Sequence, residues 1–378
     1  MAAPLERRAD SMTLAFVQHL AGLPAYTAAK RPEAGRAYAR LAANESPYEP
    51  LPGVAEALTL ELGRINRYPD SHSGALRERL AEHYDVSADQ FVVATGSVAL
   101  LGQVLRLVVG AEDDEILFPW RSFEAYPVFS RLSGGRPVPV PLKDHGLDLD
   151  GILDHIGPRT KAIFLCNPNN PTGSLLSPEE IRAFCRAVPE HILVVLDEAY
   201  AEFVNDDAIR DVSILGEHTN VCILRTFSKA YGLAGLRIGY AIASREVAGT
   251  LRTAAVPFAA NSLGQAAAAA ALGCQGDLRD RLAGLRAERR RVIAALRGRG
   301  LGVPESHANF VWLPLGDLTP GFAAHCEAQG VLVRPYTSDG CRVTIATPSD
   351  NDLFLAAVDS WPEISSIRRT GGTSDRRS

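Results

Sequence analysis

One lysine lies between two hydroxyl residues and a glycine-punctuated apolar run in the stretch best suited to covalent chemistry. Lys229 follows Thr226 and Ser228 in TFSKAYGLAGLRIGY, and Arg237 comes eight positions later, about two helical turns. An amine that attacks a carbonyl must be desolvated or held near another cation, because either condition lowers its pKa and frees its lone pair. The hydroxyls and the guanidinium would also form a cup for phosphate oxygens. The stretch therefore predicts a Schiff-base lysine beside a phosphate anchor.

A simpler interpretation of these residues is also open. Lys229 then merely ends a buried loop, and Gly232, Gly235 and Gly239 allow close packing. Short motifs of this kind match by chance. The chemical interpretation therefore depends on the elements that would position the lysine and on what else they bring to it.

Three continuous apolar runs deliver polar residues at their carboxyl ends. KAIFLC leads into NPNNPTGS, ILVVL leads into Asp197 and Glu198, and VCILRTF carries the lysine stretch. Such runs are typical of parallel strands buried on both faces, and parallel sheets bind ligands at their carboxyl edge. A buried Asp197 is costly unless a cation pairs with it, so we expect it to have a partner.

A glycine turn between a strand and a helix predicts an anion site. Gly96 and Ser97 join the strand FVVAT to the helix VALLGQVLRLVV. Backbone N–H groups and the positive end of the helix dipole converge at such a turn. This site would lie at the same edge of the sheet.

Alternating strands and helices predict an α/β fold: a large domain with a mostly parallel sheet flanked by helices, plus a smaller α+β domain. The smaller domain contains NFVWLPL, VLVRPY, CRVTIAT and a final helix. We place the large domain at 45–265 and the small domain at 1–44 and 266–365. The loop 41–52 is expected to cross between layers, and the tail 366–378 to be disordered.

Composition excludes several classes of function. The chain has 378 residues, 46% of them hydrophobic, and its net charge of -5 is spread along the sequence. Neither nucleic acid nor a membrane is therefore an expected partner. The arginines of LRDRLAGLRAERRRVIAALRGRG are interpreted as the solvent-exposed face of a long helix. No secretory signal is visible, so a cytoplasmic location is the default expectation. Six cysteines without a C-x-x-C pair predict neither a zinc site nor disulfides.

NPNNPTG, DEAY and TFSKAYGLAGLRIGY, in this order, resemble the fold-type I pyridoxal-phosphate aminotransferases of the histidinol-phosphate aminotransferase group, over nearly the full length. The resemblance implies three catalytic residues. Lys229 would bind the cofactor as a Schiff base and move a proton between the substrate α-carbon and the cofactor. Asp197 would hold the protonated pyridine nitrogen. Tyr200, with Asn170, would hydrogen-bond the cofactor's 3′-oxygen.

The resemblance also assigns the remaining site residues. The phosphate would be held by Gly96, Ser97, Val98, Thr226, Ser228 and Arg237. Phe123 would stack on the ring, and Tyr68, on a loop, would reach the phosphate of a neighbouring subunit, which implies a homodimer with shared active sites. Arg342 would bind the acidic end of the substrate, with Arg334, Tyr26 and Asn44 nearby. Val98 and Ala99 replace acidic residues common in the family, which matters little if backbone N–H groups make the contact.

WRSFEAYP and RPYTSDGCRVTIATP resemble the aromatic-amino-acid, or phenylalanine aminotransferase, branch of this group. That branch implies phenylalanine and tyrosine as donors and 2-oxoglutarate as acceptor, in a ping-pong reaction. Tyr26 and Phe258 are expected to line the aromatic pocket. For the alternative donor, histidinol phosphate, Arg121 is a candidate additional cation.

Other functions fit the sequence less well. An amino-acid-phosphate decarboxylase would use the same cofactor residues. A nucleotide-driven enzyme is disfavoured because LVVLDEAY is not accompanied by a G-x-x-x-x-G-K-[ST] loop. A cofactor-sensing regulator would need a DNA-binding segment for which the N-terminal arm leaves no room.

Overall fold

The structure covers most of the chain. The computed structural model describes residues 38–205 and 211–365. Tyr26 and the predicted disordered tail 366–378 lie outside these residues.

Strands and helices alternate through the first two thirds of the described chain. The strands are β1 Ala39–Arg40, β2 Phe91–Ala94, β3 Glu115–Trp120, β4 Arg136–Pro141, β5 Thr160–Cys166, β6 Leu193–Asp197, β7 Val221–Thr226, β8 Gly239–Ala243, β9 Phe310–Leu313, β10 Val331–Leu332, β11 Arg334–Tyr336 and β12 Gly340–Thr344. The helices are α1 Val54–Leu62, α2 Gly74–Tyr84, α3 Ser97–Val108, α4 Ala125–Leu132, α5 Leu149–Asp154, α6 Pro178–Ala187, α7 Ile214–Glu217, α8 Arg245–Thr253, α9 Ser262–Leu272, α10 Gln275–Gly298, α11 Thr319–Ala328 and α12 Pro348–Asp359. No helix among them has both the length and the apolar character needed to cross a membrane.

A seven-stranded sheet in the order β2-β8-β7-β6-β5-β3-β4 is buried on both faces. On β5, Ile163 and Leu165 belong to one hydrophobic cluster, whereas Phe164 and Cys166 belong to another. Successive side chains of a strand point to opposite faces, so both faces must be covered, and the strand therefore reads as a continuous apolar run. The predicted α/β fold with a mostly parallel sheet is confirmed.

β8 is the exception within this sheet, because it runs antiparallel to both β2 and β7. The sequence analysis did not predict this strand, because the glycine-punctuated segment that leads into it resembles a loop. Gly239, at its start, lies against the beginning of α3. A Cβ atom at Gly239 would come within 2.6 Å of the Ser97 backbone nitrogen. Glycine is required here for close packing of strand against helix.

Local signals at the helix ends agree with the sequence. Ser177 and Glu180 form a capping box at the start of α6, with Pro178 at the first helical position. Gly96 precedes α3 with a φ of 89°, a value that glycine adopts without strain.

A smaller antiparallel sheet in the order β11-β12-β9 forms a second layer, which confirms the predicted smaller α+β unit. β1 pairs in parallel with β10. The loop after β1 joins these pieces: the Leu41 N–H donates to Leu332 O at 2.8 Å, and the Thr344 N–H donates to Leu41 O at 2.8 Å. One hydrophobic cluster extends from the large sheet into this layer, and the domain boundaries given above stay predictions.

A buried ion pair joins β6 to β7 beside the site. The Arg225 Nη2 and Nε atoms donate to Glu198 Oε2 at 2.7 and 3.0 Å. The two side chains are 0% and 4% exposed, and the guanidinium also lies over the Tyr84 ring. Desolvated charges of this kind depend on each other, because removal of one leaves the other buried with less compensation.

We predict that Glu198→Ala lowers the free energy of unfolding by about 3–5 kcal/mol. Glu82→Ala is the matched control, because Glu82 pairs with Arg79 at 2.7 Å but the two side chains are 65% and 49% exposed. The control should change stability by less than about 1 kcal/mol. Urea unfolding of both variants measures the difference, and equal effects would contradict the assigned role of the buried pair.

Candidate active site

A cavity of about 280 Å³ opens at the carboxyl edge of the large sheet. The ends of β5, β6 and β7, the start of α3 and the smaller sheet surround it. The strand ends that the sequence analysis brought together therefore meet in one place.

Lys229 faces this cavity from the loop after β7. Its Nζ donates to the Ala43 backbone oxygen at 3.0 Å. Burial lowers the pKa of this amine to about 7, and the positive charges of Arg342 and Arg237 act in the same direction, against a smaller opposite effect of Glu45. At neutral pH a large fraction of the amine is therefore unprotonated and nucleophilic.

Asp197 lies at the end of β6 and is 4% exposed. Its Oδ2 accepts a hydrogen bond from the Tyr126 hydroxyl at 2.8 Å, whereas Oδ1 has no hydrogen-bond partner among the described residues. Burial raises the pKa of this carboxyl to about 6, and the bond from Tyr126 opposes the shift. The carboxylate thus lines the cavity without the cationic partner that its burial demands.

The predicted phosphate ligands surround the first turn of α3. Ser97, Val98, Thr226, Ser228 and Arg237 line the cavity, whereas Gly96, the residue directly before α3, does not. A Cβ atom at position 96 would approach Arg237 Nη2 to 2.9 Å, so glycine lets the guanidinium reach the helix start. Arg237 Nη1 donates to Ser228 Oγ at 3.4 Å and to the Ala234 oxygen at 3.0 Å. Helix dipole, hydroxyls and guanidinium all favour an anion here.

Three polar side chains on the facing wall are held by hydrogen bonds. Asn44 Nδ2 donates to the Tyr200 hydroxyl at 2.9 Å, and Asn44 Oδ1 accepts from Thr344 Oγ1. The Asn170 Oδ1 accepts from Arg342 Nη1 at 2.6 Å. The Tyr200 hydroxyl proton and the Asn170 Nδ2 are thereby oriented as donors that a ligand in the cavity can use.

Arg342, on β12, is 7% exposed and lines the cavity. Its Nη2 donates to the Ala42 oxygen at 2.8 Å and its Nη1 to the Tyr336 hydroxyl at 3.2 Å as well as to Asn170. Its Nε has no hydrogen-bond partner within the described part of the chain. A buried guanidinium with an unused donor is suited to binding a carboxylate.

The other predicted cations near the site are held by carboxylates. Arg334 Nη2 donates to Glu124 Oε2 at 2.8 Å, and both side chains line the cavity. Arg121 Nε donates to Asp339 Oδ2 at 2.5 Å, and its guanidinium lies over the Trp120 ring. Arg121 does not line the cavity. The structure thus contradicts the suggestion that Arg121 supplies an additional cation to the pocket.

The structure does not bring every predicted residue to the cavity. Tyr68 is 82% exposed and stacks on Phe258, with ring centroids 4.7 Å apart. Neither residue lines the cavity of its own chain, so the placement of Phe258 in the aromatic pocket stays a prediction. Tyr26 lies outside the described residues. Phe123 lines the cavity as expected, with its ring edge-to-face against Tyr126 at 5.7 Å.

Sequence reasoning missed several residues of the site, among them Tyr126 and Glu124. Tyr126, which donates to Asp197, lies in α4 three positions after Phe123 and packs edge-to-face against it. Glu124, which pairs with Arg334, is the residue directly after Phe123. The aromatic-rich segment was recognised, but its hydrogen-bond partners come from strands distant in sequence.

Comparison with known proteins defines the class. Residues 37–358 match the family model described as aminotransferase class I and II. The chain therefore belongs to this family and is an aminotransferase.

The relatives found span nearly the same length as this chain. An aromatic amino acid aminotransferase from Streptomyces avermitilis is 48% identical over 90% of this chain and 96% of that protein. One from Mycolicibacterium smegmatis is 47% identical over 93% of this chain and 96% of that protein. Among solved structures, histidinol-phosphate aminotransferase from Sinorhizobium meliloti, in complex with pyridoxal-5′-phosphate, superposes with a TM-score of 0.80 at 33% identity, over 89% of this chain and 92% of that one.

The residues of this cavity fit pyridoxal phosphate. The unpartnered Asp197 Oδ1 matches a protonated ring nitrogen, and the group of donors at α3 matches a phosphate. Phe123 offers an aromatic face between them. Lys229 supplies an amine for the aldehyde, and all of these groups border one cavity.

We predict that Lys229 of the cofactor-free protein reacts with an amine-arylating reagent with a midpoint near pH 7. The amine loses its proton as the pH rises through the lowered pKa, so the reaction accelerates across that range. The solvent-exposed Lys143 serves as the internal reference, and peptide mass mapping measures both sites across the pH series.

The same measurement on the Arg342→Gln variant tests whether neighbouring positive charge contributes to the lowered pKa of Lys229. Loss of a neighbouring positive charge should raise the Lys229 midpoint, because that charge lowers the amine's pKa. A profile for Lys229 that coincides with that of Lys143 would contradict the assignment.

Proposed function

We propose that this aminotransferase uses pyridoxal phosphate bound to Lys229 to move the amino group of an aromatic amino acid, phenylalanine or tyrosine, to 2-oxoglutarate in a ping-pong reaction. One observation carries the proposal. Three residues border one cavity: Lys229, whose amine has a lowered pKa, and Asp197 and Arg342, each of which has one buried polar atom without a hydrogen-bond partner among the described residues. The names of the relatives at 45–48% identity support the aromatic donor.

Asp197 acts on the ring nitrogen. Pyridoxal phosphate, when bound, supplies a conjugated ring that accepts the electrons of the bond broken at the substrate α-carbon. The Asp197 carboxylate keeps the ring nitrogen protonated, and Tyr126 fixes the orientation of that carboxylate. An ion pair between the ring nitrogen and Asp197 would in turn offset the free-energy cost of desolvating this carboxylate.

Lys229 carries the proton. Its amine, uncharged in large part near pH 7, would accept a proton from the α-carbon of the substrate, and its protonated form would return that proton later in the reaction. The Ala43 carbonyl, at 3.0 Å, holds the amine at the cavity wall while it is unattached. A pKa near the working pH lets the same group act as base and then as acid.

The remaining polar groups orient the bound molecules. Asn170 and Tyr200 offer donors to the 3′-oxygen, and Ser97, Val98, Thr226, Ser228 and Arg237 hold the phosphate. Arg342 grips the substrate carboxylate, with Asn170 and Tyr336 fixing its guanidinium. Positioning the α-carbon between Lys229 and the ring face reduces the entropy lost in the reacting step.

Histidinol phosphate is the rival donor. It has no carboxylate for Arg342 and carries a phosphate, whose dianion needs cations to offset its desolvation. Arg121, the additional cation considered from the sequence, is paired with Asp339 away from the cavity. This observation favours the aromatic amino acid.

We further propose a homodimer in which Tyr68 of one subunit completes the cofactor site of the other. Tyr68 is 82% exposed beside the 44% exposed Phe258, far more than such rings usually are in an isolated protein. A phenol at the partner's phosphate would donate one more hydrogen bond. Exposed aromatic residues of this kind are common at subunit interfaces.

We predict that Asp197→Asn lowers kcat at least about a hundredfold, about 3 kcal/mol in barrier height, because an amide cannot hold the pyridinium charge. Borohydride reduction should still attach the cofactor to the peptide containing Lys229. Asp89→Asn, the same change at an exposed residue outside the cavity, is the control. Near-normal turnover of Asp197→Asn, or attachment at another lysine, would contradict the proposal.

We predict a higher kcat/KM for phenylalanine than for histidinol phosphate with 2-oxoglutarate as acceptor. Arg342→Ala should reduce kcat/KM for phenylalanine more than for histidinol phosphate, since only the amino acid has the carboxylate. Steady-state assays of both donors measure this. A tenfold preference for histidinol phosphate would instead indicate an enzyme of histidine biosynthesis.

We predict that mixing Lys229→Ala with Tyr68→Phe subunits restores activity above that of either variant alone. A mixed dimer contains one site with an intact lysine and an intact Tyr68 from the partner. If Tyr68 acts within its own chain, no such site forms and activity stays at the level of the mixture's components. Ultracentrifugation of the mixture checks that dimers are present.

A further inference from the structure

We propose that Glu124 is a specificity-determining residue, which neutralises Arg334 and so makes the site discriminate against donors with an anionic side chain. This inference rests on the proposed function. Glu124 Oε2 accepts from Arg334 Nη2 at 2.8 Å. The Glu124 side chain makes no capping hydrogen bond at the start of α4, although it stands at the N-cap position. Its carboxylate is therefore available to face the arginine.

The charges that line the cavity have distinct uses. Arg237 belongs to the phosphate site, Lys229 and Asp197 to the cofactor ring, and Arg342 to the substrate carboxylate. Among the described lining residues, Arg334 and Glu124 are the two charged side chains left for the substrate's own side chain. Together they have no net charge.

Because the Arg334–Glu124 pair is partly buried, its zero net charge affects which substrate side chains bind. The Arg334 side chain is 11% exposed and that of Glu124 is 31% exposed, so water screens the pair only in part. An uncharged aromatic side chain beside the pair has no electrostatic cost, whereas a side-chain carboxylate adds one unpaired negative charge. Like charges brought together in a desolvated site are strongly unfavourable. The expected order of acceptance follows the charge of the side chain.

A purely structural role is the competing explanation. The pair joins the segment after β3 to β11, and Arg121 with Asp339 joins the same two regions. If Glu124 only held these regions together, loss of either carboxylate would have similar consequences. Asp339→Asn is therefore a matched control, since it removes one negative charge from the neighbouring pair, which does not line the cavity.

The experiment compares the wild-type, Glu124→Gln and Asp339→Asn holoenzymes. For Glu124→Gln we expect the ratio of kcat/KM for aspartate, whose side chain is a carboxylate, to that for phenylalanine to rise at least about tenfold. The KM for 2-oxoglutarate, whose side chain bears one negative charge, should fall by a smaller factor. Asp339→Asn should change the ratio by less than about threefold.

Glu124→Asp, which keeps the charge, should retain the wild-type order of donors and guards against misfolding of the glutamine variant. An unchanged ratio in Glu124→Gln, an equal rise in Asp339→Asn, or a rise of the same size in Glu124→Asp would overturn the role of Glu124. A wild-type enzyme that prefers histidinol phosphate would overturn the proposed function instead, so the two failures are distinguishable.

Discussion

The burial of ionisable groups at the strand ends is the constraint on which this site depends. Asp197 is placed at the end of a central strand where water reaches little of it, with one oxygen unpartnered. Lys229 is desolvated across the same cavity, and its pKa falls to about 7. Each group carries a free-energy cost that a bound ligand can relieve, so the cavity is predisposed to a molecule with a cationic ring nitrogen and a carbonyl.

The sheet provides the rigidity that such a site needs. β6 and β7, buried on both faces, are joined by the Arg225–Glu198 ion pair directly beside Asp197 and Thr226. The antiparallel β8 then returns the chain so that Gly239 packs on the start of α3. The anion site and the lysine are thus held by elements whose relative positions are set by core packing rather than by the loops alone.

The four arginines near the cavity illustrate how their partners determine their function. Arg237 borders the phosphate site, Arg342 retains an unused buried donor, Arg334 is neutralised by Glu124 and Arg121 is paired outside the cavity. All four are arginines near a substrate site, but each presents a different net charge to a ligand. The pairing pattern favours a substrate with one carboxylate and an uncharged side chain.

The sequence by itself determined the α/β architecture and most strand and helix positions, because these depend on local patterns, and the family resemblance added many of the residues that line the cavity. Continuous apolar runs identify doubly buried strands, and the residues at their carboxyl ends must meet at one edge of a parallel sheet. The sequence did not determine β8, because its glycine serves a contact with a distant helix. Tertiary structure alone decided that Tyr126 orients Asp197, that Glu124 neutralises Arg334 and that Phe258 does not line the cavity of its own chain. These contacts join residues far apart in sequence, and charge pairing across them leaves no local pattern that periodicity or spacing can reveal.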